Sequence, residues 1–256
     1  MRRDVKKKNK NGIGLALVLA VMLFFATAVL YFIINGGKSS HIYKTADYIA
    51  ETSCNEISEI RNMGMLILTG KYTKEEGINY SRVFEKSVIL GDSITEGLKV
   101  YGFLGEEQVY CEIGGSVMNS KEMVKKAAVK KPEIAFFSYG TNDMGMFSGN
   151  AEAFIEKYSS VIEEFMDISP DTKIYVNSIS KPSDSKIASG GHFHKWEEFN
   201  EAIENMCSSI GAEYIDNTEI LEKHPELYAG DGIHVSSAYY PYWMDNMIKK
   251  AKLLSS

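Results

Sequence analysis

The sequence predicts an α/β domain on a central parallel sheet, covered by helices on both faces and preceded by one N-terminal membrane helix. Two observations carry this. From about residue 84, short runs rich in β-branched or aromatic residues alternate with stretches of helical length. Near the start, an uncharged apolar run of 22 residues, Ile13 to Ile34, follows a basic decapeptide. Five prolines, 45% hydrophobic residues and the lack of any repeat or low-complexity tract exclude collagen-like, mucin-like and globally disordered chains.

The apolar run comes first. At about 1.5 Å per residue it reaches roughly 33 Å, enough to cross a bilayer core. Ala26-Thr27-Ala28 resembles a signal-peptide cleavage site. The run continues through Val29 to Ile34, however, beyond the core length of a signal peptide, which favours an uncleaved anchor. Arg2, Arg3, Lys6, Lys7, Lys8 and Lys10 precede it, with Asp4 the one anion among them, whereas only Lys38 and Lys44 follow closely. That bias predicts a single-pass cell-membrane protein with a cytoplasmic N-terminus and an extracytoplasmic domain. The organisation is thus a basic tail at 1–11, a transmembrane signal-anchor helix at 12–35, a juxtamembrane linker and helix at 36–83, and the main domain at 84–256.

The net charge of −6 is the sum of a +5 decapeptide and a remainder with 22 basic and 33 acidic residues. So acidic a body excludes nucleic acid as a partner, because phosphate-backbone binding needs clustered Lys and Arg. Cys54, Cys111 and Cys207 are too few and scattered for a disulfide framework or a Cys-based zinc site, and read best as small buried hydrophobes. Ile42, Ala46, Ile49, Ile57 and Ile60 form a near-helical stripe, interrupted at Ser53, that suits a stalk or a helix packed on the main domain. Gly64 to Lys71 fails as a phosphate loop: the glycine spacing is one too long, and Tyr72 stands where Ser or Thr should bind magnesium.

In the main domain the strands are expected at Ser87–Leu90, Gln108–Ile113, Glu133–Ser138, Lys173–Ile179 and Ala212–Ile215, and the helices near 119–130, 151–168, 194–209 and 239–254. Ligands of such sheets bind at the carboxyl ends of the strands, so the loops after them are informative. The first strand runs into Gly91-Asp92-Ser93, which places Ser93 at a helix start where backbone amides favour an anion. Taken alone, an Asp-Ser pair such as Asp92-Ser93 is more often a plain N-cap. The second strand delivers Gly114-Gly115-Ser116, where glycine lets a backbone amide approach a substrate. The third delivers Gly140-Thr141-Asn142-Asp143, with a side-chain amide able to donate to an oxyanion. Asp231-Gly232-Ile233-His234 precedes the last helix, and Asp and His three apart can share a bond that fixes the imidazole tautomer. Ser236 or Ser237 is the expected cap of that helix.

Together these segments resemble the SGNH (GDSL-like) hydrolase family, in the family's order and over about 170 residues from Phe84 onward. The resemblance implies a flavodoxin-like three-layer α/β/α sandwich. It also implies Ser93 as nucleophile, His234 as general base and Asp231 as its orienting partner. Ser93, Asn142 and one glycine would form the oxyanion hole; Gly114 and Gly115 both fit, and Gly115 is preferred.

The expected activity is ester hydrolysis through an acyl-enzyme, with no metal or cofactor required. The expected substrate is a small ester or an acylated glycan. The same acyl-enzyme could instead transfer its acyl group to a sugar hydroxyl, and a membrane-tethered binding module with a decayed site is the third reading. His192 and His194 lie in a polar loop from Ser180 onward. Two apart on a helix they would not face one metal, so a mobile rim of the cleft or plain surface suits them better. Tyr239, Tyr240, Tyr242 and Trp243 are expected to pack their helix on the sheet more than to contact a sugar ring.

Overall fold

The computed structural model describes residues 70–73, 77–112 and 114–254. The apolar run Ile13–Ile34, the stripe from Ile42 to Ile60 and Cys54 lie outside the described residues. Among the described residues no helix is long and apolar enough to cross a membrane. A two-residue ribbon, β1 (Tyr72–Thr73) with β2 (Gly77–Ile78), and a short helix α1 (Tyr80–Val83) lead into the sheet. Val83 and Phe84 are buried, and Lys71 Nζ donates to the Leu253 carbonyl at 2.9 Å, so this fold already takes in residues ahead of Phe84.

Five strands form one parallel sheet: β3 (Ser87–Gly91), β4 (Val109–Cys111), β5 (Ile134–Ser138), β6 (Lys173–Asn177) and β7 (Glu213–Ile215). Their spatial order is β4-β3-β5-β6-β7. After β3 the chain moves to one side for β4 and returns to the other for β5. The carboxyl end of β3 is therefore the topological switch point, where such sheets bind ligands.

Residues alternate across the sheet because successive strand side chains point to opposite faces. Val88, Leu90, Ala135, Phe137, Ile174 and Val176 join one core; Ile89, Val109, Phe136, Tyr175 and Ile215 join the other. The first is covered by α3 (Lys121–Ala128), α5 (Ala151–Ile168) and α7 (Trp196–Ile210), which supply Val124, Phe154 and Phe199 among others. The second is covered by α2 (Ser93–Val100), α8 (Thr218–Lys223) and α9 (Tyr239–Ala251), through Leu98, Leu221, Trp243 and Met244. Two short helices, α4 (Asp143–Met146) and α6 (Asp184–Ala188), complete the set. The five-strand parallel sheet with helices on both faces is the expected architecture.

Several boundaries differ from expectation. Within the strand expected over Gln108–Ile113, β4 takes Val109–Cys111, Ile113 lying outside the described residues, and the strand expected over Lys173–Ile179 ends at Asn177. Neither Ser236 nor Ser237 caps α9: Ala238 is its N-cap, without a side-chain bond. As expected, Tyr239, Tyr240 and Trp243 are buried against the sheet, with Tyr242 left exposed. Cys111 and Cys207 are free and buried.

The packing of α9 on α2 depends on one glycine. A Cβ on Gly97 would lie 1.8 Å from the Tyr240 hydroxyl, which is held by its 2.9 Å bond to the Ile94 carbonyl. Gly→Ala in an unobstructed helix normally stabilises, by roughly 0.5–1 kcal/mol. Here Gly97→Ala should instead destabilise by about 1–3 kcal/mol through overpacking. Equilibrium denaturation of the variant measures the sign, and a gain in stability would refute the contact.

Candidate active site

The β3 exit is built to present one hydroxyl. A Cβ on Gly91 would sit 2.0 Å from Thr95 Oγ1 and 2.7 Å from the Ser138 carbonyl, so only glycine lets the strand turn so tightly into α2. Asp92 is the N-cap of α2 and accepts from the Ile94 amide at 2.9 Å. The capping role and an accessible serine thus coexist, since Asp92 is buried while Ser93 stands half-buried at the first helical position.

Ser93 Oγ lies 3.1 Å from His234 Nε2, and His234 Nδ1 lies 2.5 Å from Asp231 Oδ2. The other Asp231 oxygen accepts from the amides of Ile233 at 3.0 Å and His234 at 2.9 Å. With Asp231 ionised, Nδ1 carries the imidazole proton and Nε2 is left to accept one from Ser93. The loop is braced at its base: Ala229 N–H donates to the His234 carbonyl at 2.7 Å, and Ser236 N–H to that of Leu227 at 2.8 Å. The three sequence-predicted residues, from opposite ends of the domain, meet in one chain of hydrogen bonds.

The donor side agrees less completely. Asn142 Nδ2 donates to the Gly115 carbonyl at 3.0 Å and keeps a second hydrogen. Gly115 N–H, expected as a free donor, instead donates to the Glu112 carbonyl at 2.8 Å, closing the turn in which Gly114 takes φ +69°. Of the expected donors, Ser93 N–H, at the N-terminus of α2, and the second Asn142 hydrogen are therefore left uncommitted among the described residues. Gly115 has another use. A Cβ there would lie 2.8 Å from the Glu112 carbonyl and 3.1 Å from that of Gly91, so its bareness lets this loop press against the serine turn.

Three carboxyl groups around the site differ in state because their surroundings differ. Burial is the largest effect on Asp92 and pushes it up to about 7, against the Ile94 amide and with help from nearby Asp143. Burial likewise pushes Asp143 up to about 6, opposed by the Ser116 hydroxyl and the Val117 amide. Slight burial raises Asp231 too, but the His234 side chain and the Ile233 and His234 amides outweigh it and hold the group at about 2.

Two features went unread in the sequence. Asp143 Oδ1 takes Ser116 Oγ–H at 2.5 Å and Val117 N–H at 3.1 Å, a link across 27 residues with no local pattern to announce it. The polar stretch from Ser180, expected as a mobile rim of the cleft or plain surface, contains α6 and is tied to neighbouring loops at its start. Ser183 N–H donates to the Gly232 carbonyl at 2.9 Å, Tyr228 O–H to that of Lys181 at 2.7 Å, and Ser180 and Tyr239 share a 2.9 Å hydroxyl bond. His192 packs on Gly149, whereas His194 Nδ1 lies 3.2 Å from the Gly191 carbonyl.

A GDSL-like lipase/acylhydrolase family model matches residues 89–240, more than half of the chain. The chain belongs to this family. It is accordingly an ester hydrolase of the GDSL/SGNH kind. Among solved structures, a lipase/acylhydrolase from Enterococcus faecalis is 14% identical with a TM-score of 0.51, over 65% of this chain and 95% of its own. A GDSL-like lipase from Bacteroides thetaiotaomicron is 16% identical, also with a TM-score of 0.51, over 65% of this chain and 87% of its own. At such identities these two speak for the family's fold alone. A search of curated proteins finds no match.

The buried acids set a pH dependence. Asp92 and Asp143 have folded-state pKa values above the ordinary carboxyl value, so the folded state holds the extra proton. Their stabilising contribution is fully present below about pH 4. It is lost as the pH rises through about 6 for Asp143 and about 7 for Asp92. Asp92→Asn keeps an acceptor for the Ile94 amide but cannot ionise. Between about pH 5 and about pH 7.5 it should lose about 2 kcal/mol less stability than the wild type, measured by chemical denaturation at the two values; equal losses would contradict the assignment.

Proposed function

We propose that the protein is a membrane-anchored, extracytoplasmic serine esterase that removes short acyl groups, acetyl foremost, from carbohydrate or cell-envelope esters. The observation that carries this reading is the unbroken chain Ser93–His234–Asp231, at 3.1 and 2.5 Å.

In this mechanism His234 Nε2 takes the Ser93 proton as Oγ attacks the ester carbonyl. The carbonyl oxygen, becoming an oxyanion, is met by Ser93 N–H and the second Asn142 hydrogen, in a pocket whose shape Gly115 permits. His234 then protonates the leaving alcohol. Water, deprotonated by the same nitrogen, clears the acyl group from Ser93. Asp231, charged at neutral pH, stabilises the imidazolium that forms in each half-reaction.

The surroundings suit an ester carried on a large alcohol. The site opens on solvent: the side chains of His234 and Asp231 are 50% and 48% exposed, so a polymer can present a pendant ester without entering a tunnel. The membrane placement rests on the basic decapeptide and the apolar run after it.

Full-length protein should cleave p-nitrophenyl acetate far faster than long-chain esters, and Ser93→Ala should abolish the activity; wild-type turnover in that variant would sink the serine mechanism. Asn142→Ala should lower kcat by about 10²–10³, and an unchanged kcat would remove it from the oxyanion site. Protease shaving of intact cells should digest the domain carrying Ser93. Its protection until the cells are opened would reverse the orientation.

A further inference from the structure

A second layer of residues sits behind the oxyanion side of this site. Asp143, the first residue of α4, is fully buried, as is Ser116 in the loop after β4. Asp143 Oδ1 receives two donors from that loop, Ser116 Oγ–H at 2.5 Å and Val117 N–H at 3.1 Å. Ser116 Oγ in turn accepts from Met118 N–H at 3.1 Å, and Ser116 N–H donates to Asn119 Oδ1 at 2.8 Å. One residue earlier in each segment, Asn142 Nδ2 donates to the Gly115 carbonyl at 3.0 Å. Adjacent residues 142 and 143 therefore grip the consecutive stretch 115–117.

We infer that Asp143 is a positioning residue for the proposed esterase: through Ser116 and Val117 it fixes the Gly115 carbonyl, and that carbonyl aims the Asn142 amide at the oxyanion. The inference rests on the proposed function and goes one step deeper. An amide nitrogen carries two hydrogens in one plane, about 120° apart by its trigonal geometry. Once Gly115 holds one, the direction of the other is set. An unanchored Gly115 carbonyl would let the side chain turn, and the donor would no longer meet the developing charge. A carboxylate suits the task because it only accepts, and two donors converge on one oxygen without competing. Asn119 Oδ1, a side-chain acceptor of the loop itself, is already taken by Ser116 N–H.

A positioning role predicts a loss in kcat with little change in KM, because the Asn142 contact matters most once charge develops. In full-length protein assayed on p-nitrophenyl acetate, Asp143→Ala should lower kcat by about 10²-fold, the cost of a misplacement near 1 Å. Asp143→Asn, which keeps an Oδ1 acceptor, should recover most of that loss. Ser116→Ala removes one of the two clamping bonds and should cost about tenfold, an effect the size of one lost hydrogen bond. In an Asn142→Ala background both Asp143→Ala and Ser116→Ala should have almost no further effect on kcat, since the group they position is gone.

Full kcat in Ser116→Ala, or equal losses with and without Asn142, would overturn the inference. Should Asp143→Ala not fold, Ser116→Ala and its double variant with Asn142→Ala carry the same test. An inactive wild type, or an active Ser93→Ala, would instead overturn the proposed function. An active wild type with additive losses overturns the positioning role alone.

Discussion

Everything at the site depends on three parallel strands ending level. β3 lies between β4 and β5, with Gly91 opposite Cys111 on one side and Ser138 on the other. Parallel pairing obliges the chain to leave all three at the same edge, so the loops carrying Ser93, Gly115 and Asn142 cannot avoid one another. The register is held by burial on both faces: a one-residue slip would carry Ile89 and Leu90 each into the opposite core. His234 reaches this edge by another route, since α9 packs across the second face and its preceding loop falls over the end of β3. The close approach of Ser93 to His234, at 3.1 Å, is then a consequence of sheet geometry, with local hydrogen bonds supplying only the last adjustment.

That edge places buried acids beside exposed ones, and the difference in solvation sorts their work. Asp231 is half exposed and surrounded by donors, so it stays charged and can hold His234 as one tautomer. Asp92 is adjacent in sequence to Ser93 but is only 3% exposed, and near neutral pH it is divided between its charged and neutral forms. Its acceptor faces the Ile94 amide, so it serves α2 as a cap while the imidazole takes its bond from Asp231.

The parts legible in the sequence were those written in local pattern. β-branched and aromatic runs such as Ser87–Leu90 and Glu133–Ser138 mark strands because burial on both faces leaves few other residues acceptable. The helix over 151–168 was readable to the residue, since Asn150 caps it and its apolar spacing is unbroken. Short helices were not: α4, α6 and α8 have four to six residues each, below the length at which a helical period can be seen. Ser93, His234 and Asp231 could be picked out because their segments, in order, resemble the blocks of a known family, and the structure brings the three side chains together. The ties of the stretch from Ser180 could not, because they engage its backbone: Ser183 N–H donates to the Gly232 carbonyl, and the Lys181 carbonyl accepts from the Tyr228 hydroxyl.

Gly115 shows how a motif glycine can differ from the role its motif suggests. A glycine at a presumed oxyanion site invites the reading that its N–H must be free, yet here that hydrogen closes a turn on Glu112. What glycine supplies is the missing Cβ, which would collide with the carbonyls of Glu112 and Gly91. Its carbonyl then becomes the useful group, an acceptor that orients a donor. Any side chain at 115 would push the loop off the serine turn and so move Asn142 with it, although Asn142 is 27 residues away. Sequence identity at such a position records a distance of approach between two backbones, and only the neighbouring carbonyls reveal which group does the chemistry.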